Sequence, residues 1–507
     1  MPDVQAKATQ REWMGLAVLA LPCLVYAMDL TVLNLALPAI SAELQPSSSQ
    51  LLWMVDIYGF FVAGFLITMG TLGDRIGRRK LLMAGAAAFG LASAIAAFSS
   101  SVNMLIAMRA LLGIAGATLA PSTLSLIRHM FQHDEERQFA IGIWIASFSL
   151  GGVIGPLVGG LVLQFFGWGA VFWVAVPVML AVLLLGPILL PEYKDVNAGR
   201  MDIPSVFMSL GAVLSSVFGF KHMAEHGPGW PGAICVLAGL ALGVIFMRRQ
   251  GKLSYPLLDL RLFRVPQFSA AILAYALSCL AMFGFYIFIA QYLQLVLNLS
   301  PLMAGLATVP WALAFVAGSL LAPRFKRYCP SIAMLVGGLI VAAFGFLLLT
   351  RVTGTQGLGW LIAGTVTMSL GLAPVFTLVN DMVMTSAPPE RAGAASALSE
   401  TCSEFSGALG IAVFGSAGTV LYQRGLAASA PAGLPADSLA QAQATLGGAL
   451  SAAARLPGNA GDALLLAARG AFVDAMQTAA LVAALVLLGT SVLLARMLRR
   501  RHPADAP

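Results

Sequence analysis

Charge is what this sequence has least of. Asp, Glu, Lys and Arg make up 10% of its 507 residues, where soluble globular chains carry about 25%. That scarcity excludes a soluble architecture of this length. Cysteine and histidine are also rare, at five each. Cys23, Cys235, Cys279, Cys329 and Cys402 are scattered, odd in number and never in a CxxC spacing, so neither a disulfide framework nor a cysteine metal site is present. They read as small apolar fillers. There is no GxxxxGK[ST] string and no soluble domain to hold one, which argues against ATP-driven work. Between Asp259 and Asp381 there is not a single acid.

What is there is apolar surface: 59% of residues are hydrophobic and the mean hydropathy is +0.87. A bilayer crossing needs about 20 such residues in a row. Fourteen runs meet that length, at about 13–38, 52–72, 81–99, 103–127, 139–163, 170–190, 203–222, 231–247, 268–296, 301–322, 331–350, 358–380, 394–421 and 472–496. The first is longer than the roughly 7–15 apolar residues of a signal peptide and reads as a retained span. With an even number of spans both termini share one side. If that side is the cytoplasm, its segments hold 23 of the 29 Lys and Arg and the opposite side holds 5, with Arg109 inside a span. This is the positive-inside asymmetry. The net charge of +7 therefore reports topology and not a nucleic-acid partner.

Six spans with short loops fill residues 1–190. A polar break at 191–202, two further spans and a basic connector follow, to residue 267. Residues 268–507 hold six more spans and a long outer loop at 422–471. The reading is an all-α polytopic protein of two six-helix bundles plus two extra spans, the plan of transporters whose site lies between the halves at mid-membrane. Within the loop, "ADSLAQAQATLGGALSAAARL" predicts a short amphipathic helix and "GDALLLAARGAFVDAM" a second that runs into the last span. An ordered spacer and a lid or partner-docking element are both open readings of it.

The acids inside these spans carry the functional argument, because a carboxylate in hydrocarbon costs about 2.5–3.5 kcal/mol or more. Asp29 lies nine residues before Pro38, about 13 Å from the outer end. Arg109 lies six residues after Asn103, about 9 Å from the same face. Similar depth permits an interaction, and a carboxylate between low dielectric and a cation is tunable as a proton site. A structural ion pair is the competing reading. Glu400 and Glu404 are four residues apart, on one helix face, and suit a cation site. Asp56 sits nearer the outer end and reads equally as interfacial. Five aromatics, Trp144, Phe148, Phe285, Tyr286 and Trp311, are pocket candidates because aromatic faces attract organic cations; packing explains each of them as well. "HMAEH" at 222–226 matches the H-x-x-E-H zinc-peptidase string, but Gly and Pro follow it closely and no downstream ligand is evident. No catalytic or metal-binding residue is expected, and no cofactor.

Six strings give these residues a family. "GTLGDRIGRRK" at 70–80 places Gly70, Gly73, Asp74, Arg75, Gly77 and Arg78 after the second span. It resembles the signature loop of the major facilitator superfamily, which latches the cytoplasmic side of those transporters. "LIAMRALLGIAGA" at 105–117 is similar to the fourth-span motif of proton-coupled members, except that Leu112 stands where Gln is usual. "GGVIGPLVGG" at 151–160, with Gly151, Gly155, Pro156, Gly159 and Gly160, resembles the fifth-span motif of drug antiporters. "MDLTVLNLALP" at 28–38 is similar to the first-span motif of the fourteen-span drug:H⁺ branch, and "WMVDIYGF" and "PLLDLRLF" fit it too.

The resemblance covers nearly the whole chain and is nearest to quaternary-ammonium and methyl-viologen exporters of the QacA and SmvA type. It implies proton-driven export of lipophilic mono- and divalent cations across a bacterial inner membrane, without a cofactor, by a protein functional as a monomer with both termini in the cytoplasm. It implies proton coupling at Asp29 and Arg109, and proton and drug binding at Glu400 and Glu404. One departure is the acid-free span ten, where some relatives carry a carboxylate; a role for that acid does not transfer. Inward symport, a channel and a membrane zinc peptidase are the rivals. The span-five pattern and the intramembrane acids favour export.

Overall fold

The computed structural model describes residues 7–44, 46, 48–194, 202–226, 229–253, 256–258, 260–299, 301–354, 357–386, 392–431, 434–456 and 459–499. Among these there is no β-strand, and fourteen helical stretches are long and apolar enough to cross a membrane. The N-terminal half comprises α1 (Gln10–Leu44), α2 (Ser48–Ile76), α3 (Arg78–Ala97), α4 (Val102–Gly116), α5 (Leu119–Met130), α6 (Asp134–Phe165), α7 (Ala170–Trp173) and α8 (Ala175–Leu189). The extra pair is α9 (Ile203–His226) and α10 (Trp230–Gln250). The C-terminal half comprises α11 (Pro266–Gln291), α12 (Pro301–Lys326), α13 (Ser331–Leu349), α14 (Leu358–Ser386), α15 (Ala392–Ser429), α16 (Ala436–Ala444), α17 (Leu446–Ala453) and α18 (Asn459–Arg499).

Two crossings are built from broken helices. The fourth is α4 followed by α5, interrupted at Ala117 and Thr118. Pro121 has no N–H to offer the carbonyl of Ala117, so the helix ladder is weakened there, and the Thr118 hydroxyl donates to Ala115 O at 2.7 Å. The sixth is α7 followed by α8. Acids at the start of α6 (Asp134, Glu135, Glu136) and bases at the end of α10 (Arg248, Arg249) complement the helix dipoles.

The helices form two six-span bundles. In the first, α1 packs on α6, α2 on α4, and α3 on α8; in the second, α11 packs on α15, and α13 on α14 and α18. The bundles meet through α6 with α12 and through α2 and α5 with α15. The α9–α10 hairpin touches α2 and α15 along one side. It is the least enclosed part of the molecule: 17% of the apolar window of α10 is buried in protein, against 72% for α14. At the foot of the hairpin Arg249 donates twice to Asp202, at 2.7 and 2.9 Å, and this guanidinium holds the Asp202 carboxyl well below its usual range.

Between α6 and α1 the bundle depends on glycine. A Cβ on Gly151 would stand 2.3 Å from the carbonyl oxygen of Leu24, and one on Gly155 would stand 2.2 Å from Thr31 Oγ1. These residues, with Gly159, make the flat face that lets the two helices approach. Gly160 faces open space. The side chain of Pro156 lies outside the described residues.

Of the two helices expected in 422–471, the second, at 461–476, forms as the first part of α18 and runs into the last span, whereas the first, at 436–456, is split in two. α15 continues through Ser429 and α18 begins at Asn459, so much of the supposed loop is extended span. What remains folds as two helices, broken at Thr445, whose side chain caps α17 by accepting from Gly448 N at 2.9 Å. The pair is fixed to the C-terminal bundle: the Tyr422 hydroxyl donates to Ala442 O at 2.8 Å, and Leu446, Ala449 and Ala452 are buried.

Candidate functional site

Asp29 sits mid-way along α1 and Arg109 mid-way along α4. The structure joins them: Arg109 Nη1 donates to Asp29 Oδ2. The guanidinium is 1% exposed and the carboxylate 12%. Arg109 also lies over the ring of Tyr58 on α2, 4.6 Å from its centroid, which adds a cation–π contact in a dry setting. The Tyr58 ring meets that of Tyr26, at 5.7 Å between centroids. Tyr26 is on α1, three residues before Asp29 and hence on the same helix face. Its hydroxyl donates to Glu404 Oε1 at 3.5 Å. Four contacts thus run from an N-terminal ion pair to a carboxylate of the C-terminal bundle.

Glu400 and Glu404 project from α15 one turn apart. Glu400 Oε1 is buried without a hydrogen-bond partner. An unpaired acceptor in a membrane interior costs several kcal/mol, and a cation or a proton would relieve it. Beside it, Cys279 Sγ of α11 lies 3.2 Å from Ser403 Oγ. Among the described residues no group of three or more His, Cys, Asp or Glu is arranged to hold a metal. Of the "HMAEH" string, Glu225 and His226 have side chains outside the described residues, as has Asp56 on α2.

The five aromatic candidates part company. Phe148 touches both Tyr26 (5.7 Å) and Trp144 (4.8 Å), so it adjoins the chain of contacts. Trp144 is buried, its indole N–H donating to Thr123 Oγ1 at 2.9 Å. Phe285 is buried and packed edge-on against Phe346 inside the C-terminal bundle. Tyr286 and Trp311 pair with each other at 5.4 Å, and Tyr286 is exposed. Sequence reasoning missed Tyr26 and Tyr58. Tyr26 carried a signal, its one-turn spacing from Asp29; Tyr58 carried none.

The basic face holds a second group of contacts. Asp74 pairs with Arg78, four residues on, and Arg78 also donates to Gly70 O. Gly77 has φ +115°, a conformation reserved for glycine, and a Cβ there would stand 2.5 Å from Glu192 Oε1. Glu192, just past α8, accepts from the backbone of Arg79 and Lys80 at 3.1 and 3.2 Å. The 70–80 segment is thereby docked on its own half. Across the halves, Asp381 of α14 accepts from Arg137 Nε and Gln138 Nε2 of α6, each at 2.9 Å, with Lys326 Nζ at 3.5 Å. Arg327 donates to Glu135 nearby. Asp381 entered the sequence reading only as the end of an acid-free stretch, although a lone acid in an apolar span is itself a signal.

Two membrane-embedded bundles that face each other across buried carboxylates, with polar contacts on one face, define a membrane transporter. The profile of the Major Facilitator Superfamily matches residues 19–411, and the chain belongs to that family. It is 42% identical over 491 residues to the multidrug efflux pump LfrA of Mycolicibacterium smegmatis, covering 97% of each chain. It is 35% identical over 508 residues to the methyl viologen resistance protein SmvA of Salmonella typhimurium, covering 97% of this chain and all of that one. The fold is also that of the human organic anion transporter MFSD10, with a TM-score of 0.61 over 94% of this chain and 99% of that one, at 16% identity.

Proposed function

We propose that this protein is a proton-coupled multidrug efflux antiporter of a bacterial inner membrane. It exports lipophilic mono- and divalent cations, such as quaternary ammonium biocides, dyes and viologens. It is driven by the proton gradient without a cofactor, works as a monomer, and keeps the basic face and both termini in the cytoplasm. The observation that carries this reading is the pair Glu400 and Glu404, two carboxylates one turn apart inside a membrane helix. Glu404 is linked to the Asp29–Arg109 ion pair through Tyr26 and Tyr58. Carboxylates beside aromatic rings favour a cation over a neutral or anionic solute. An acid paired to a buried Arg has two states of different charge and so can hold the proton that the cation replaces. The names of LfrA and SmvA point the same way.

The test is uptake by everted vesicles. With an inside-acid gradient, vesicles carrying the protein should accumulate ethidium or methyl viologen, and release it when nigericin collapses the gradient. Accumulation that ignores the gradient, or none in vesicles that contain the folded protein, would refute the antiport reading.

A further inference from the structure

The mechanism just proposed uses four charged side chains and leaves two tyrosines between them unexplained. Tyr58 is 0% exposed, and its hydroxyl is buried without a hydrogen-bond partner. Tyr26 is 9% exposed. Both rings lie against Gly116: a Cβ there would stand 3.2 Å from the Tyr58 hydroxyl and 3.4 Å from the Tyr26 ring. Tyrosine is a poor choice for a purely apolar seam, because each buried hydroxyl must be satisfied or suffers a desolvation cost. Tyr26 has a partner, and that partner is on the other half of the molecule.

We propose that Tyr26 is a positioning residue that ties Glu404 to the Asp29–Arg109 pair, through its hydroxyl on one side and through the ring of Tyr58 on the other. The proposal rests on the antiport reading and adds the physical link between its two sites. With no substrate bound, the Tyr26 hydroxyl occupies Glu404 and bridges α1 to α15. A cation that reaches Glu404 competes with this hydrogen bond. Once it is lost, the Tyr26 and Tyr58 rings no longer have a fixed seat, and Tyr58 is the ring on which Arg109 rests. Substrate on Glu404 then changes how firmly Arg109 holds Asp29. The two tyrosines differ in what they contribute: Tyr26 acts through oxygen, Tyr58 through its π face. No proton passes through either.

The experiment uses full-length protein in nanodiscs, with ethidium as the probe for binding and everted vesicles for transport. Tyr26→Phe removes the competitor at Glu404. Ethidium should bind about fivefold more tightly, the weight of one modest hydrogen bond, while gradient-driven accumulation falls by more than half. Tyr58→Phe keeps the ring and should retain most of the gradient-driven accumulation that Tyr58→Leu loses. Tyr58→Leu removes the ring and should lose gradient-driven accumulation with ethidium affinity changed less than twofold. Wild-type protein that neither binds nor accumulates ethidium would defeat the antiport reading itself. Wild-type activity with a Tyr26→Phe variant unchanged in both affinity and accumulation would overturn the role of Tyr26. So would a Tyr58→Phe defect as large as that of Tyr58→Leu. Reduced ethidium binding by Tyr26→Phe would also overturn it, since the hydroxyl would then be a substrate contact and not its rival.

Discussion

Arg109 is buried, and among the described residues the carboxylate of Asp29 pairs with it. Removing a single member of such a pair strands a buried charge, at a cost of about 3–5 kcal/mol, whereas removing both is far milder. The antiport reading requires Asp29 to lose its charge transiently in each cycle, so the site must tolerate for a moment what a mutation would impose permanently. Asp29→Asn should therefore abolish gradient-driven accumulation of ethidium and also lower the unfolding temperature, followed by tryptophan fluorescence in detergent. Adding Arg109→Gln should restore much of the thermal stability and none of the transport. A double variant less stable than Asp29→Asn would mean that Arg109 is held mainly by other groups, such as Met54 O, to which its Nε donates at 3.4 Å.

At the scale of helices, the seam between α1 and α6 separates steric from chemical roles. Gly151 and Gly152 are neighbours in sequence but opposite in surroundings: a Cβ on Gly151 strikes the backbone of α1, and one on Gly152 meets nothing within 4 Å. Gly151→Ala must push two helices apart and should cut transport at least fivefold or prevent stable insertion. Gly152→Ala should leave transport unchanged and raise stability slightly, since alanine is favoured over glycine in a helix by about 1 kcal/mol. Equal effects in a vesicle uptake assay would contradict the packing. The fourteen spans were legible because hydrocarbon thickness sets a length that any window of sequence reveals. The face that Gly151 and Gly155 present was legible from four-residue spacing. The break at Thr445 was not, because α16 and α17 share one amphipathic pattern and only a threonine cap divides them. Tyr58 and Phe285 read alike in sequence, as aromatics in apolar runs, and Tyr26 differed only by its one-turn spacing from Asp29. Only packing shows that Phe285 is core while the tyrosines lie between charges.

For the whole molecule, the polar contacts that span the two halves include the Tyr26–Glu404 hydrogen bond and a cluster on the basic face. The cluster ties the two halves together at that face. Its centre is Asp381, 4% exposed, held by Arg137 and Gln138 of the opposite half, with Arg137 itself 8% exposed. Glu135 and Arg327 flank it, but both are open to solvent and such pairs contribute about 0–1 kcal/mol. If the transporter alternates, the Asp381 contacts must break each time the basic face opens, and Arg137 regains water when they do. Neutralising Asp381 removes the cross-half partner in the closed state, whereas in the open one it loses only the 3.5 Å pair with Lys326 of its own half. Asp381→Asn should therefore shift the population toward the form open at the basic face, and a difference of about 1.4 kcal/mol already moves the ratio tenfold. The shift can be read from spin labels on native Cys329 and on a cysteine introduced as Gln132→Cys, both exposed and on opposite halves. With the other four cysteines replaced, the longer-distance population should grow in Asp381→Asn and scarcely change in Glu135→Gln. The reverse ranking would assign the closing energy to the exposed pair, and an unchanged distribution in both variants would mean that apolar packing of α6 on α12 keeps this face shut.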